Sequence, residues 1–125
     1  MKCIKIYSIL SNFENETTTI EAIAEYDEKE NVINYTEEDL KVKIKIGKDK
    51  VLIDRKNEDY CLSLEFIPNE KVECKYEVKS IGLNLDIDVI TKVLEIEKNR
   101  IYINYEIFND NKSIGTFEYK LIIKE

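Results

Sequence analysis

Residues 83–107, LNLDIDVITKVLEIEKNRIYINYEI, decide the fold. Leu83, Leu85, Ile87 and Val89 alternate with Asn84, Asp86 and Asp88. After Glu97-Lys98-Asn99-Arg100 the alternation resumes, with Ile101, Ile103, Tyr105 and Ile107 against Tyr102, Asn104 and Glu106. Side chains of a strand point to opposite faces in turn, so a period of two means one buried and one solvated face. Two such runs joined by a short polar turn predict a long antiparallel hairpin. The first arm breaks phase: its apolar residues are odd-numbered through Val89, whereas Leu94 and Ile96 are even. One extra residue near Thr91–Val93 restores the inward face, which predicts a β-bulge there.

The flanking segments repeat the pattern. Ile4, Ile6, Ser8 and Leu10 form one face of a first strand, and Ser11–Glu16 reads as a loop. Ile20, Ala22, Ala24 and Tyr26 share a face of a second strand, Thr17–Asp27. Ile33, Tyr35 and Glu37 do so in a third, Val32–Glu37. From Leu40 to Gly47, Leu40, Val42, Ile44 and Ile46 oppose Lys41, Lys43 and Lys45. That lysine row is either a solvated face that deters edge-to-edge pairing or a basic binding stripe. Val51, Ile53 and Arg55 share a fifth strand. Leu62, Leu64 and Phe66 mark a sixth that Pro68 stops. Val72, Cys74, Tyr76 and Val78 mark a seventh, and Phe117, Tyr119, Leu121 and Ile123 belong to the last, Ser113–Lys124. No helical period of useful length occurs. Nine or so antiparallel strands predict an all-β single domain over residues 1–125, a sandwich or a barrel. The bent central hairpin favours an up-and-down barrel of about 8–10 strands, because closure demands curvature.

Composition limits the function. Apolar residues make up 43% and charged residues 36%, as in globular proteins. A net charge of −7 disfavours a nucleic-acid backbone or an anionic membrane as partner. No run approaches the ~20 apolar residues of a membrane span, and the lysine and serines of the first eleven residues interrupt any signal-peptide core. Cys3, Cys61 and Cys74 are odd in number and widely spaced, which reads as free thiols in a reducing, cytoplasmic setting. There is no histidine, so Ser-His-Asp and Cys-His catalysis and the commonest metal ligand are excluded. Asp86 and Asp88 lie on an outward face, and Cys74 between Val72 and Tyr76 reads as a small apolar residue. The expectation is a protein that is not an enzyme, with no catalytic residue, metal or cofactor.

The runs Val32-Ile33-Asn34-Tyr35-Thr36-Glu37, Val51-Leu52-Ile53-Asp54-Arg55 and Arg100-Ile101-Tyr102-Ile103-Asn104-Tyr105-Glu106-Ile107, in that order, resemble the YwiB-like family. These are small bacterial proteins of unknown function, and the resemblance extends over almost the whole chain. It implies a calycin-like (lipocalin-like) barrel and supplies no catalytic residues. Many members carry a Gly soon after the arginine, where this chain has Asn57, so the turn there departs from the family.

The candidate site follows from phase. Glu37 and Arg55 fall on inward faces near strand ends, where burial requires pairing. They form either a mutual salt bridge or a recognition pair whose guanidinium fork is offered to a ligand carboxylate or phosphate. Tyr26, Tyr35, Tyr76, Tyr105 and Tyr119 also face inward, which suits a partly wet cavity as well as a packed core. The speculative ligand-binding set is Tyr35, Glu37, Arg55, Tyr76, Tyr105 and Tyr119. Two readings stand. One is a module holding a small, apolar or amphipathic ligand at one barrel mouth. The other is a packed interaction protein, a homodimer or complex subunit, using the outward apolar residues Ile9, Ile23, Leu52, Ile90 and Phe108.

Overall fold

A computed structural model describes every residue except Phe13 and Asn15. Ten strands close into one antiparallel barrel in which each strand pairs with its neighbours in sequence and β1 pairs with β10. They are β1 (Lys2–Asn12), β2 (Thr17–Asp27), β3 (Val32–Glu37), β4 (Leu40–Ile46), β5 (Val51–Lys56), β6 (Tyr60–Phe66), β7 (Lys71–Val78), β8 (Leu83–Glu97), β9 (Arg100–Asn109) and β10 (Lys112–Lys124). One 3-10 turn (Lys79–Ile81) precedes β8. The expected loop Ser11–Glu16 is shorter, since β1 continues to Asn12, whose Oδ1 accepts from the Glu14 and Glu16 amides. Phe13 and Asn15, within that loop, lie outside the described residues.

Alternation sorts side chains as expected. Ile6, Ile33, Ile44, Val51, Phe66, Val89, Ile103 and Leu121 are fully buried, one or more from most strands, and form a single core. The predicted bulge is present: Thr91 pairs with Tyr105 and Val93 with Asn104, leaving Lys92 as the extra residue. Thr91 is buried, Val93 exposed, and Leu94 and Ile96 return to the core. A second bulge lies between Ser113 and Gly115, which leaves Ile114 outside the ladder.

Two seams are only partly zipped. β2 pairs with β3 over Glu25–Asp27 alone. β6 pairs with β7 over Tyr60–Ser63 alone. Where the second ladder lapses, the Glu65 amide donates to the Cys74 thiol at 3.4 Å. Beyond Phe66 the chain crosses to the β8 bulge, where Pro68 bridges Thr91 and the Asn69 amide donates to the Thr91 carbonyl at 3.1 Å. In an up-and-down barrel alternate connections share an end. The turns at residues 38–39, 57–59, 79–82 and 110–111 therefore surround one mouth, and the N-terminus with the turns at 28–31, 47–50, 67–70 and 98–99 surrounds the other.

Candidate functional site

Ladder registers place the inward residues of the first mouth in rows. Tyr35, Val42, Arg55, Leu62, Tyr76 and Leu85 lie opposite one another across β3 to β8. One row nearer the rim are Tyr60, Val78 and Leu83. The rows deeper in the barrel are buried: Ile53, Leu64, Cys74 and Ile87 each pack in the core. Toward the mouth the same inward face becomes half-buried at Tyr60, Leu62, Tyr76 and Leu85, and Leu83 is 40% exposed. The inward side chains on the β5–β8 side of this end are therefore only partly covered.

Arg55 sits at the centre of that mouth. Its charge acts on Tyr35, Tyr60, Tyr105 and Tyr119, which reach it from four different strands. Burial pushes all four hydroxyls above the ordinary tyrosine range, and Arg55 opposes the shift. Tyr105 is pushed up to about 12, and Tyr119 rises further. Tyr105 packs between Phe66 and Phe117, with ring centroids at 4.7 and 5.4 Å, and Tyr60 meets Tyr76 edge-on at 5.9 Å.

Arg55 makes no ion pair with Glu37 or with any other described carboxylate. Around it the Tyr35 and Tyr119 hydroxyls and Glu37 Oε2 are buried without a hydrogen-bond partner. The two hydroxyls influence one another, but no bond of proper geometry joins them. A charge and three polar atoms without protein partners are costly in a folded interior. Together they offer a fork of N–H donors, two hydroxyls and an apolar rim, the chemistry that orients one acidic or polar group on an apolar body.

Of the six predicted site residues, Tyr35, Arg55, Tyr105 and Tyr119 converge, with Glu37 acting on Tyr35. Tyr76 is at the rim against Tyr60. Tyr26 belongs to the opposite end, where its hydroxyl donates to Asn31 at 2.7 Å. Tyr60 directly follows turn residues in the sequence, yet its phase with Leu62, Leu64 and Phe66 places it inside. The Asn57 turn closes on its own side chain, whose Oδ1 accepts from the Asp59 and Tyr60 amides at 2.8 and 2.9 Å. Cys74 is buried, and burial pushes its thiol up. Among the described residues no three His, Cys, Asp or Glu side chains gather as a metal site, and no helix is long and apolar enough to cross a membrane.

A concavity lies on the outside. A groove of about 940 Å³ is lined by residues 1–3, 23–25, 34–36, 41–43, 54–56 and 61–63. Alternation assigns most of that lining to the outer faces of β2 to β6, so the strands carrying Tyr35 and Arg55 inside also form its floor outside. Strand periodicity gave no sign of it, because a groove depends on how the sheet curves.

A family model described as "Domain of unknown function (DUF1934)" matches residues 4–121. Among solved structures, the crystal structure of the ywiB protein from Bacillus subtilis superposes with a TM-score of 0.76 at 18% identity, covering 98% of this chain and 89% of that one. At that identity the likeness is one of fold. No curated protein matches significantly.

Proposed function

The chain belongs to the DUF1934 family, a domain of unknown function, and we propose that its barrel is a binding module for a small, mostly apolar ligand held at the Arg55 mouth. The observation that carries this reading is an inward face left half-buried beside a guanidinium that forms no described ion pair. Tyr60, Leu62, Tyr76, Leu83 and Leu85 provide the apolar rim, and Arg55 with the Tyr35 and Tyr119 hydroxyls takes the ligand's polar end. The low dielectric of the site strengthens those polar contacts once water is displaced. Binding, not catalysis, is the role proposed, since the mouth holds no histidine and no pair of facing acids.

The alternative, a packed homodimeric protein, requires a contiguous outward apolar patch. Its five residues do not form one. Ile23 pairs with Lys5, Leu52 lies between Lys45 and Glu65, and Ile9 lies between Thr19 and Lys120. Only Ile90 and Phe108 are diagonal neighbours, and Lys71, Glu106 and Asp88 flank them.

The test is a double-mutant cycle on Arg55 and Glu37, read by chemical denaturation. An arginine reserved for a ligand predicts that Arg55→Ala costs less than about 1 kcal/mol and that the two substitutions are additive. A loss of about 3–5 kcal/mol for each single variant, with the double variant no worse, would make the pair structural and remove the proposed anchor.

A further inference from the structure

The three lysines of β4 form an exposed row of like charge. A role in deterring edge pairing does not apply, because β4 is zipped to both β3 and β5. Lys41 stands directly opposite Lys56 on the floor of the outer groove, with Thr36 and Cys61 as the next residues on either side. Lys43 stands opposite Asp54, which also accepts from the Ser63 hydroxyl at 2.5 Å, and Glu25 is the other carboxylate of the groove lining. Lys41, Lys43 and Lys56 form no ion pair with a described carboxylate, as is true of most lysines of the chain; what sets them apart is that they meet on one groove floor. Like charges directly opposite on a ladder repel. The chain has 26 acidic residues against 19 basic ones, so carboxylates to neutralise this spot are not scarce. Beside the lysines, Ile23 is 65% and Met1 89% exposed, an apolar wall left uncovered.

We propose that this groove is a second binding site, for a small organic anion. Its carboxylate or phosphate oxygens bridge Lys41 and Lys56, with Lys43 adjacent, and its apolar part lies against Ile23 and Met1. The groove volume of about 940 Å³ is within the range of small-molecule pockets. Ammonium groups act there as point charges on flexible stems, so recognition is of charge more than of fork geometry. Tyr35 and Arg55 belong to strands that line the groove, and alternation turns their side chains to the barrel interior, away from the face that carries the lysines.

The test uses two dyes with the same aromatic body: anilinonaphthalene sulfonate, which is anionic, and phenylnaphthylamine, which is neutral. Fluorescence titration of the full chain is expected to show sulfonate binding that weakens about tenfold in Lys41→Ala/Lys56→Ala, while the neutral dye changes less than about twofold. Arg55→Ala is expected to leave sulfonate affinity within about twofold. Because both lysines are exposed, the double variant folds, and thermal denaturation confirms it. The proposal is overturned if the wild type does not bind the sulfonate, or if the double variant binds it unchanged. Equal losses for the two dyes, or a loss only in Arg55→Ala, would also overturn it.

Discussion

The buried tyrosines give the mouth a pH signature. An unfolded tyrosine titrates near pH 10, whereas Tyr105 is pushed up to about 12 by burial, and Tyr35 and Tyr119 shift the same way. A raised folded value means the unfolded chain loses its proton first. The stability these groups contribute is therefore complete below about pH 10 and falls as pH rises toward their folded values, by about 1.4 kcal/mol per unit and per group. Absorbance titration should show a tyrosinate fraction that appears only with cooperative unfolding, monitored by circular dichroism. Reversible ionisation of all eight tyrosines in the folded barrel would show that these hydroxyls are wet and the shifts absent. The residues of the site were legible to the extent that alternation fixes the inward face: Tyr35, Arg55, Tyr105 and Tyr119 were found that way. That Arg55 and Glu37 do not pair was not legible, because phase gives direction and not distance.

At the scale of the element, strand identities follow from period two, and the Thr91–Val93 bulge follows from the break of phase between Val89 and Leu94. Both are local features that a sequence must encode. The incomplete β2–β3 and β6–β7 seams are not local, since they arise from how ten twisted strands share one closure. Turn chemistry offers a direct check. The β3–β4 hairpin holds Glu38 at φ 55, a left-handed conformation that an ordinary side chain adopts at a cost of about 1–2 kcal/mol. The corresponding positions Asn31, Asn69 and Asn111 carry asparagine, which tolerates it. Glu38 is exposed and forms no described ion pair, so Glu38→Asn should stabilise the barrel by about 0.5–1 kcal/mol in a denaturant melt. A loss of stability would mean that Glu38 contributes an interaction worth more than its backbone strain.

For the whole molecule, the barrel is polarised along its axis. Aliphatic side chains fill the middle, while Arg55, Glu37 and most of the inward tyrosines collect at the end away from the termini, with Tyr26 at the other. The sequence carries part of this polarity, because the inward residues nearest the turns at 38–39 and 57–59 include Glu37, Arg55 and Tyr60 beside Leu40. What it does not carry is the curvature that leaves Leu83 and Leu85 at an open rim and a groove outside β2 to β6. Native mass spectrometry of freshly purified wild type and Arg55→Ala, each compared with its denatured mass, tests most directly whether the Arg55 mouth holds a ligand. The predicted result is a wild-type barrel carrying an extra mass that is lost on denaturation, and an Arg55→Ala barrel that carries much less of it. Bare barrels in both preparations, or an extra mass held equally by both, would contradict the role assigned to Arg55 and its mouth.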